Sequence, residues 1–215
     1  MRNRPRSQHA AGLLVVLSGP SGVGKGTVVS RAMASRSKEA RRLRRSISVT
    51  TRLPRPDEKQ GKDYFFCTDS QFERKVKAGE LLEWATYLGN RYGTPARWVD
   101  QQLASGYDVV LEIEVKGALQ VKKRRPDAVL VYMLPPSWEA LRRRLRKRRS
   151  ESAEVQEKRL AVACREMESI GAYHYVIVND RVARAAGSLL AILAAEHART
   201  ERVGSVVRPG KELRG

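Results

Sequence analysis

A glycine-rich turn between an apolar segment and a helix-forming segment constrains the fold more than any other feature. Residues 19–27 read Gly-Pro-Ser-Gly-Val-Gly-Lys-Gly-Thr, after the apolar run 13–17 and before the helix-favouring run 28–33. This order predicts a buried strand, a loop whose backbone N–H groups surround phosphate oxygens, and a helix whose amino terminus adds positive potential. Glycines let the backbone approach the anion, and Lys25 can reach the outer phosphates. We therefore expect the chain to bind a nucleoside triphosphate.

The end of this loop departs from the usual phosphate-binding pattern. A Ser or Thr usually follows the loop lysine and places its hydroxyl on Mg²⁺, but Gly26 takes that position here and Thr27 comes one residue later. The change disfavours a switch GTPase or a motor ATPase. It suits a nucleoside monophosphate kinase loop, in which phosphates and waters hold most of the Mg²⁺, so no residue is assigned as a direct metal ligand. The predicted ATP-binding loop comprises Gly19, Pro20, Ser21, Gly22, Val23, Gly24, Lys25, Gly26 and Thr27.

Length and cysteine content exclude several other classes of protein. The 215 residues suffice for one α/β domain with inserted subdomains. No apolar run approaches the ~20 residues that cross a bilayer. Cys67 and Cys164 have neither metal-ligand spacing nor the pattern of a disulfide framework. We therefore expect a cytoplasmic protein with no membrane association, and the sequence leaves open whether it is a monomer or a homo-oligomer.

The formal net charge of +19 raises nucleic acid as an additional partner. The basic residues are spread along the chain, with dense runs at 122–125 and 142–149, and aromatic residues make up only 6%. A stacking platform for single strands is therefore not indicated. Two polyanionic substrates explain several arginines, and weak, salt-sensitive RNA association stays open as a hypothesis for the remainder.

Alternating strands and helices predict the fold class. Apolar runs at 13–17, 107–113, 128–134 and 175–178 are separated by helical segments. They predict an α/β, doubly wound, mostly parallel sheet, with its ligand crevice at the carboxyl ends of the strands. The core is assigned to 12–45 and 93–198. Basic tails at 1–11 and 199–215 are expected to be disordered and frayed, respectively.

Two segments are predicted to project from this core. Residues 46–92 contain strand-like pieces and turn signals, which indicate an inserted mixed α/β subdomain. Within it, Ser70 and Glu73 form a capping-box pattern, and Thr94-Pro95 beyond it is typical of a helix start. Ser137 can cap a charged helix that a polar break separates from a second helix, so 137–160 is predicted to be a mobile helical lid.

Residues 46–64 combine arginines and a tyrosine in a pattern that suits a phosphate monoester. Arg52 and Arg55 are three residues apart with a proline between them and can converge on one phosphate, and the Tyr64 phenol can add a hydrogen bond. The run Ser-Ile-Ser-Val-Thr-Thr-Arg-Leu-Pro-Arg-Pro-Asp-Glu-Lys-Gln-Gly-Lys-Asp-Tyr resembles the monophosphate-binding segment of guanylate kinases. The resemblance continues in order through 80–84, 92–94, 111–114 and 176–180, and covers 12–198.

This resemblance implies an ATP:GMP phosphotransferase that makes ADP and GDP with Mg²⁺. It places Arg52, Arg55, Tyr64 and Tyr92 at the GMP phosphate and includes Glu58 among the GMP-binding residues. By the same resemblance, Asn179 would contact adenine.

Guanine selection calls for a carboxylate. Guanine donates from N1 and N2, whereas adenine presents an acceptor at N1, so a buried carboxylate discriminates between them. Glu83 is the candidate, with Ser48 and Thr94 as hydroxyl partners, although Thr94 is also a good helix cap.

Glu112 and Glu114 close an apolar strand beside the loop, where carboxylates suit Mg²⁺-bound waters or the acceptor nucleotide. Both are assigned to GMP binding. The family commonly has Asp at the second position, so the partner of Glu114 stays open.

The catalytic residues are predicted to be Lys25, Arg52, Arg148 and Arg159, the last two at the family's lid positions. The lid carries Arg148-Arg149-Ser150 where the family has Arg-Gly-Thr, so Arg144, Arg146 or Arg149 can take the role instead. No general base is needed, because a phosphate monoester is largely dianionic at neutral pH.

Two other functions remain as alternatives: a guanylate-kinase-like binding module with weak catalysis, and a phosphokinase with another phosphorylated acceptor. The presence of Gly24 and Lys25 argues against the first, and Glu83 with the Arg52/Arg55 pair argues against the second.

Overall fold

The computed structural model describes residues 11–87, 89–146 and 153–203, with side chains omitted at 146 and 153–159. The strands are β1 (Leu14–Ser18), β2 (Leu43–Arg45), β3 (Val49–Thr50), β4 (Phe65–Phe66), β5 (Leu81–Tyr87), β6 (Asn90–Pro95), β7 (Asp108–Glu112), β8 (Val129–Leu134) and β9 (Tyr175–Val178). The helices are α1 (Lys25–Met33), α2 (Lys38–Arg42), α3 (Asp69–Lys77), α4 (Ala96–Ala104), α5 (Val115–Arg124), α6 (Trp138–Arg146), α7 (Ala153–Met167), α8 (Val182–His197) and α9 (Thr200–Val203), with a 3₁₀ turn at Ile170–Ala172.

The main sheet is parallel, with strand order β2-β7-β1-β8-β9. Helices α1 and α8 pack on one face, and α4 and α5 pack on the other. Apolar side chains on both faces of β1 explain why this strand is an unbroken apolar run, as expected for a parallel sheet with two covered faces. The predicted doubly wound α/β fold is confirmed.

The edge strand β2 was missing from the prediction. Its sequence, Leu-Arg-Arg, carries no apolar pattern, and only Leu43 is buried. It is held by parallel pairing with β7, which local sequence does not encode.

A second, mixed sheet has the order β4-β3-β6-β5 and encloses a small apolar cluster of Val49, Phe72 and Leu81. Strand β3 is parallel to β4 and antiparallel to β6, and β5 and β6 form an antiparallel pair. The sheet extends to Pro95, so the boundary predicted at residue 92 falls inside β6.

Two predicted helix caps were wrong. Helix α3 is capped by Thr68, which accepts from the Gln71 N–H at 3.2 Å while its own N–H donates to the Gln71 side chain at 2.9 Å. The predicted Ser70/Glu73 box is therefore displaced by two residues, and Glu73 instead pairs with Arg91 at 2.7 Å. Helix α4 begins at Ala96, after Pro95, so Thr94 is a strand residue rather than the cap.

Helices α6 and α7 pack through Leu141, Leu145 and Ala163, and Ser137 accepts from the Ala140 N–H at 3.2 Å, as predicted for a helix start. Residues 147–152 lie outside the described part of the chain, as do 1–10 and 204–215. The tail predicted from residue 199 begins with the short helix α9. Within the described ranges, no helix has the length and apolar character needed to span a membrane.

Candidate nucleotide site

A cavity of about 580 Å³ opens at the carboxyl edge of the main sheet, where β1 turns into α1. It lies at the position predicted for the ligand crevice. Its lining residues are Ser21, Gly22, Gly24, Lys25, Gly26, Thr27, Glu112, Arg144, Asn179 and Val182.

The loop that bounds this cavity has a backbone that only glycine adopts easily. Gly22 and Gly24 have φ values of 82° and 98°, in the left-handed region. A Cβ on Gly24 would also lie 2.7 Å from Nδ2 of Asn179. The Lys25 ammonium donates to the Gly19 carbonyl at 2.5 Å, and α1 begins at Lys25 itself, so the helix amino terminus points at the cavity.

Asn179 and Arg144 hold the tip of this loop. Asn179 follows β9, is 2% exposed and donates from Nδ2 to the Val23 carbonyl at 2.8 Å. Arg144 of α6 donates to the same carbonyl at 3.0 Å and to the Asn179 carbonyl at 2.9 Å. Both side chains line the cavity, and Arg144 links α6 to the loop. The adenine contact of Asn179 stays a prediction.

Glu112 ends β7 on the loop side of the crevice and forms an ion pair that sequence reasoning missed. Arg45 contacts Glu112 Oε1 from Nε at 2.7 Å, and its NH2 donates to the Gly26 carbonyl at 2.9 Å and to Ser30 Oγ at 3.0 Å. Burial raises the pKa of Glu112, against the opposing effect of Arg45 and Lys25. A Cβ on Gly26 would lie 3.3 Å from Glu112 Oε2, so the glycine keeps this carboxylate from being crowded.

Glu83 and Thr94 form a buried polar pair where β5 and β6 face the core. Glu83 is 5% exposed and Thr94 is fully buried. The Thr94 hydroxyl donates to Glu83 Oε1 at 2.6 Å. Burial raises the pKa of Glu83, and the charge of Glu114 adds to the increase. Glu114 itself is exposed and precedes the first turn of α5.

Arg52 lies at the centre of a cluster on the second sheet. Its NH2 group donates to both carboxylate oxygens of Glu58 at 2.8 and 2.9 Å, and its guanidinium lies 5.3 Å from the Tyr64 ring centroid. Hydrogen bonding to Glu58 raises the pKa of Arg52, with a smaller contribution from Tyr92. The rings of Tyr64 and Tyr92 meet edge to face at 6.2 Å. The structure thus brings three predicted phosphate ligands, Arg52, Tyr64 and Tyr92, together with Glu58.

The remaining predicted residues fall into two groups. Arg55 is exposed, with its backbone N–H on Glu58 at 2.9 Å, and Ser48 is half-buried, with its carbonyl in the β3–β4 pairing. Arg148 and Arg149 lie outside the described residues, and the side chains of Arg146 and Arg159 are likewise not described.

The grouping of acidic, histidine and cysteine side chains bears on metal binding. Across the described ranges, no three His, Cys, Asp or Glu side chains are grouped so that they could hold a metal ion. Glu112 is the acidic side chain that lines the cavity.

A family model, related sequences and a solved structure all match this chain to guanylate kinases. A family model described as guanylate kinase matches residues 12–196. Guanylate kinases from Lactococcus lactis and Listeria monocytogenes are 50% and 47% identical over 192 residues, which is 89% of this chain and 92% of each relative. The crystal structure of guanylate kinase from Anaplasma phagocytophilum superposes with a TM-score of 0.68 at 33% identity, and the match covers 90% of both chains.

Proposed function

The chain belongs to the guanylate kinase family and is an ATP:GMP phosphotransferase, and we propose that it uses the residues of this crevice for direct, in-line transfer. ATP occupies the P-loop side and GMP the Arg52–Glu83 side. The observation that carries this assignment is the buried Glu83–Thr94 pair, at 2.6 Å, on the paired strands β5 and β6 of the second sheet. A buried carboxylate held by the hydroxyl and the backbone N–H of a single residue, Thr94, is costly to the fold, and a ligand that donates two hydrogen bonds accounts for it.

At the ATP side, the proposed ligands are the loop N–H groups, the helix terminus and Lys25. The Lys25 ammonium, now on the Gly19 carbonyl at 2.5 Å, is close enough to the loop to exchange that contact for phosphate oxygens. Asn179 and Arg144 keep the loop tip in place through Val23 and lie where the nucleoside would extend from the phosphates.

At the GMP phosphate, Glu58 orients Arg52. The paired contacts at 2.8 and 2.9 Å hold the guanidinium plane, and a planar guanidinium can bind phosphate with its other edge. The Tyr64 and Tyr92 phenols and Arg55 complete the proposed set. Arg55 is exposed and would move onto the phosphate when GMP binds.

At the base, Glu83 accepts from guanine N1–H and N2–H. Thr94 holds one oxygen of this carboxylate in place, and Ser48 is the further hydroxyl proposed to contact the base. Adenine would face the carboxylate with an acceptor, which leaves buried groups unpaired and makes the discrimination large.

Mg²⁺ fits this site as an ion bound mainly to phosphates and waters. Gly26 contributes no hydroxyl at the usual metal position, and Glu112 lines the cavity beside it, so Glu112 would contact metal-bound waters, with Glu114 further along the edge. When bound, Mg²⁺ offsets negative charge on the phosphates.

Transfer requires positioning and positive charge rather than a base, because the GMP phosphate is already largely dianionic. Lys25 and Arg52 hold the two reacting phosphates, and Arg148 and Arg159 are proposed to close over the transferred group from the lid at 137–160. The subdomain at 46–92 would close against it from the other side. Among the lid arginines whose side chains the structure describes, Arg144 is the one that contacts the P-loop.

The test is a coupled assay of ADP production with ATP, Mg²⁺ and, in turn, GMP, AMP, CMP and UMP. GMP-selective turnover that is lost in Lys25→Ala is the expected result. Turnover that does not depend on Lys25, or that favours another acceptor, would contradict the assignment. Single-turnover rates of Arg148→Ala and Arg159→Ala should fall sharply, and unchanged rates would move the role to another lid arginine.

The charge of +19 supports a second, weaker interaction. We propose salt-sensitive, non-specific association with RNA in the cytoplasm, since clustered arginines release counterions from phosphate backbones. A filter-binding series at low salt with no retention of RNA would contradict it.

A further inference from the structure

Gly117 lies in the first turn of α5, directly against the Glu83 carboxylate. A Cβ built on Gly117 would lie 2.9 Å from Glu83 Oε2 and 3.3 Å from Ile113 Cδ1. The backbone does not require glycine here, because Gly117 has no positive φ and alanine is favoured over glycine inside a helix. Glu83 Oε2 therefore lies close to where the side chain of any other residue at position 117 would begin.

The two oxygens of this carboxylate face different neighbours. Oε1 accepts from the Thr94 hydroxyl at 2.6 Å, and Oε2 faces the bare backbone of Gly117. Thr94 is fully buried and Glu83 is 5% exposed, so these two neighbours, rather than solvent, set the orientation of the carboxylate.

We propose that Gly117 is a specificity-determining position: its missing side chain sets the orientation in which Glu83 meets guanine. This inference rests on the proposed role of Glu83 in base binding. Two N–H···O contacts to the edge of a base need both carboxylate oxygens in the plane of that base. A methyl group at 117 pushes Oε2 away and turns this plane.

The cost of such a methyl group falls on recognition rather than on folding. The atom it meets is the far end of a flexible side chain, which yields more easily than backbone or packed core. The helix itself gains from alanine. Gly117→Ala is therefore expected to weaken GMP binding without lowering the stability of the fold.

The experiment compares Gly117→Ala with Gly187→Ala in helix α8. Gly187 is exposed and a Cβ there meets nothing within 4 Å, so it reports the effect of a Gly→Ala change in a helix by itself. In Gly117→Ala, the KM for GMP should rise about 10-fold or more, as expected for weakening of a charged hydrogen bond. The GMP:AMP ratio of kcat/KM should fall. The KM for ATP should stay the same as in Gly187→Ala, and the Tm should be no lower than in Gly187→Ala. A KM for GMP within twofold of wild type would overturn the inference.

A double variant separates orientation of Glu83 from general damage. Glu83→Asp withdraws the carboxylate from position 117, so adding Gly117→Ala to it should cause less than a twofold further loss. Full additivity of the two losses, or a lower Tm in Gly117→Ala with equal losses for ATP and GMP, would show a packing defect and overturn the inference.

The outcome for Glu83→Gln distinguishes a failure of the proposed role of Glu83 from a failure of the role of Gly117. If that variant retains GMP selectivity, the proposed role of Glu83 fails, and this inference fails with it. If Glu83→Gln loses selectivity but Gly117→Ala does not, the proposed function stands and only the role of Gly117 is refuted.

Discussion

Replacement of Glu83 by glutamine changes hydrogen-bond chemistry at the base site with almost no change of shape. The wild-type carboxylate is 5% exposed and accepts from Thr94 at 2.6 Å. Glutamine keeps one oxygen, which can still accept, and replaces the other with an amide NH₂ that can only donate. Guanine offers two donors on this edge, so one of them would face another donor.

The expected loss follows from that single contact. A hydrogen bond to a charged group contributes roughly 1.5–3 kcal/mol, and each ~1.4 kcal/mol is a factor of ten in binding or rate. The kcat/KM for GMP should therefore fall about 10- to 100-fold. AMP should lose nothing, because adenine presents an acceptor at N1 that the new amide can satisfy, so selectivity falls by at least the same factor.

The assay measures kcat/KM for GMP and AMP at saturating ATP, with the KM for ATP as an internal control. Glu83 does not line the P-loop cavity, so the KM for ATP should stay within twofold of wild type. Burial raises the pKa of Glu83, so removing its charge should not lower the free energy of unfolding at pH 7. A kcat/KM for GMP within twofold of wild type, in a folded variant, would refute the assignment of Glu83 to the base.

Three further predictions concern stability and the P-loop. The folded-state pKa of Glu83 is raised above 4.5, so its contribution to stability is present below pH 4.5 and is lost as pH rises through the folded pKa. The free energy of unfolding of Glu83→Gln relative to wild type should therefore increase from pH 4 to 7 in urea titrations. A difference that does not change with pH would contradict the pKa shift. Arg45→Ala breaks a partly exposed ion pair with Glu112 and should cost no more than about 1 kcal/mol of unfolding free energy in the same titrations, whereas a loss of ~3 kcal/mol or more would show that the pair is structural. Asn179→Ala removes the 2.8 Å contact to Val23 and should cost about 1 kcal/mol while raising the KM for ATP more than that for GMP, a pattern that equal changes in both would exclude.

Local pattern was sufficient for the parts of the fold that are built from neighbours along the chain. The β1–loop–α1 unit, the apolar strands and the parallel arrangement follow from hydrophobic runs, glycine spacing and the alternation of strands with helices. The helix start at Ser137 was found for the same reason, since the hydroxyl and the N–H it accepts from are three residues apart.

Local pattern failed where a distant residue competes for the same group. Thr94 resembles a helix cap in sequence, yet its hydroxyl donates to Glu83, which reaches it through the β5–β6 pairing. Strand β2 has no apolar signature and is defined by β7 alone. The Ser70/Glu73 pattern predicted the wrong cap: Thr68 and Gln71 form the capping box, and Glu73 accepts from Arg91, 18 residues away.

What the sequence by itself determined is therefore the chemistry available: a phosphate-binding loop, a pair of arginines with a tyrosine, and acidic residues at strand ends. Only the tertiary structure decided which of these groups meet. It places Asn179 on Val23, 156 residues earlier, Arg45 on Glu112, and the Glu83 carboxylate against the bare backbone of Gly117. Such contacts form when the two sheets and their helices pack, and burial then sets the pKa and the orientation of each carboxylate, neither of which is encoded in a residue's neighbours along the chain.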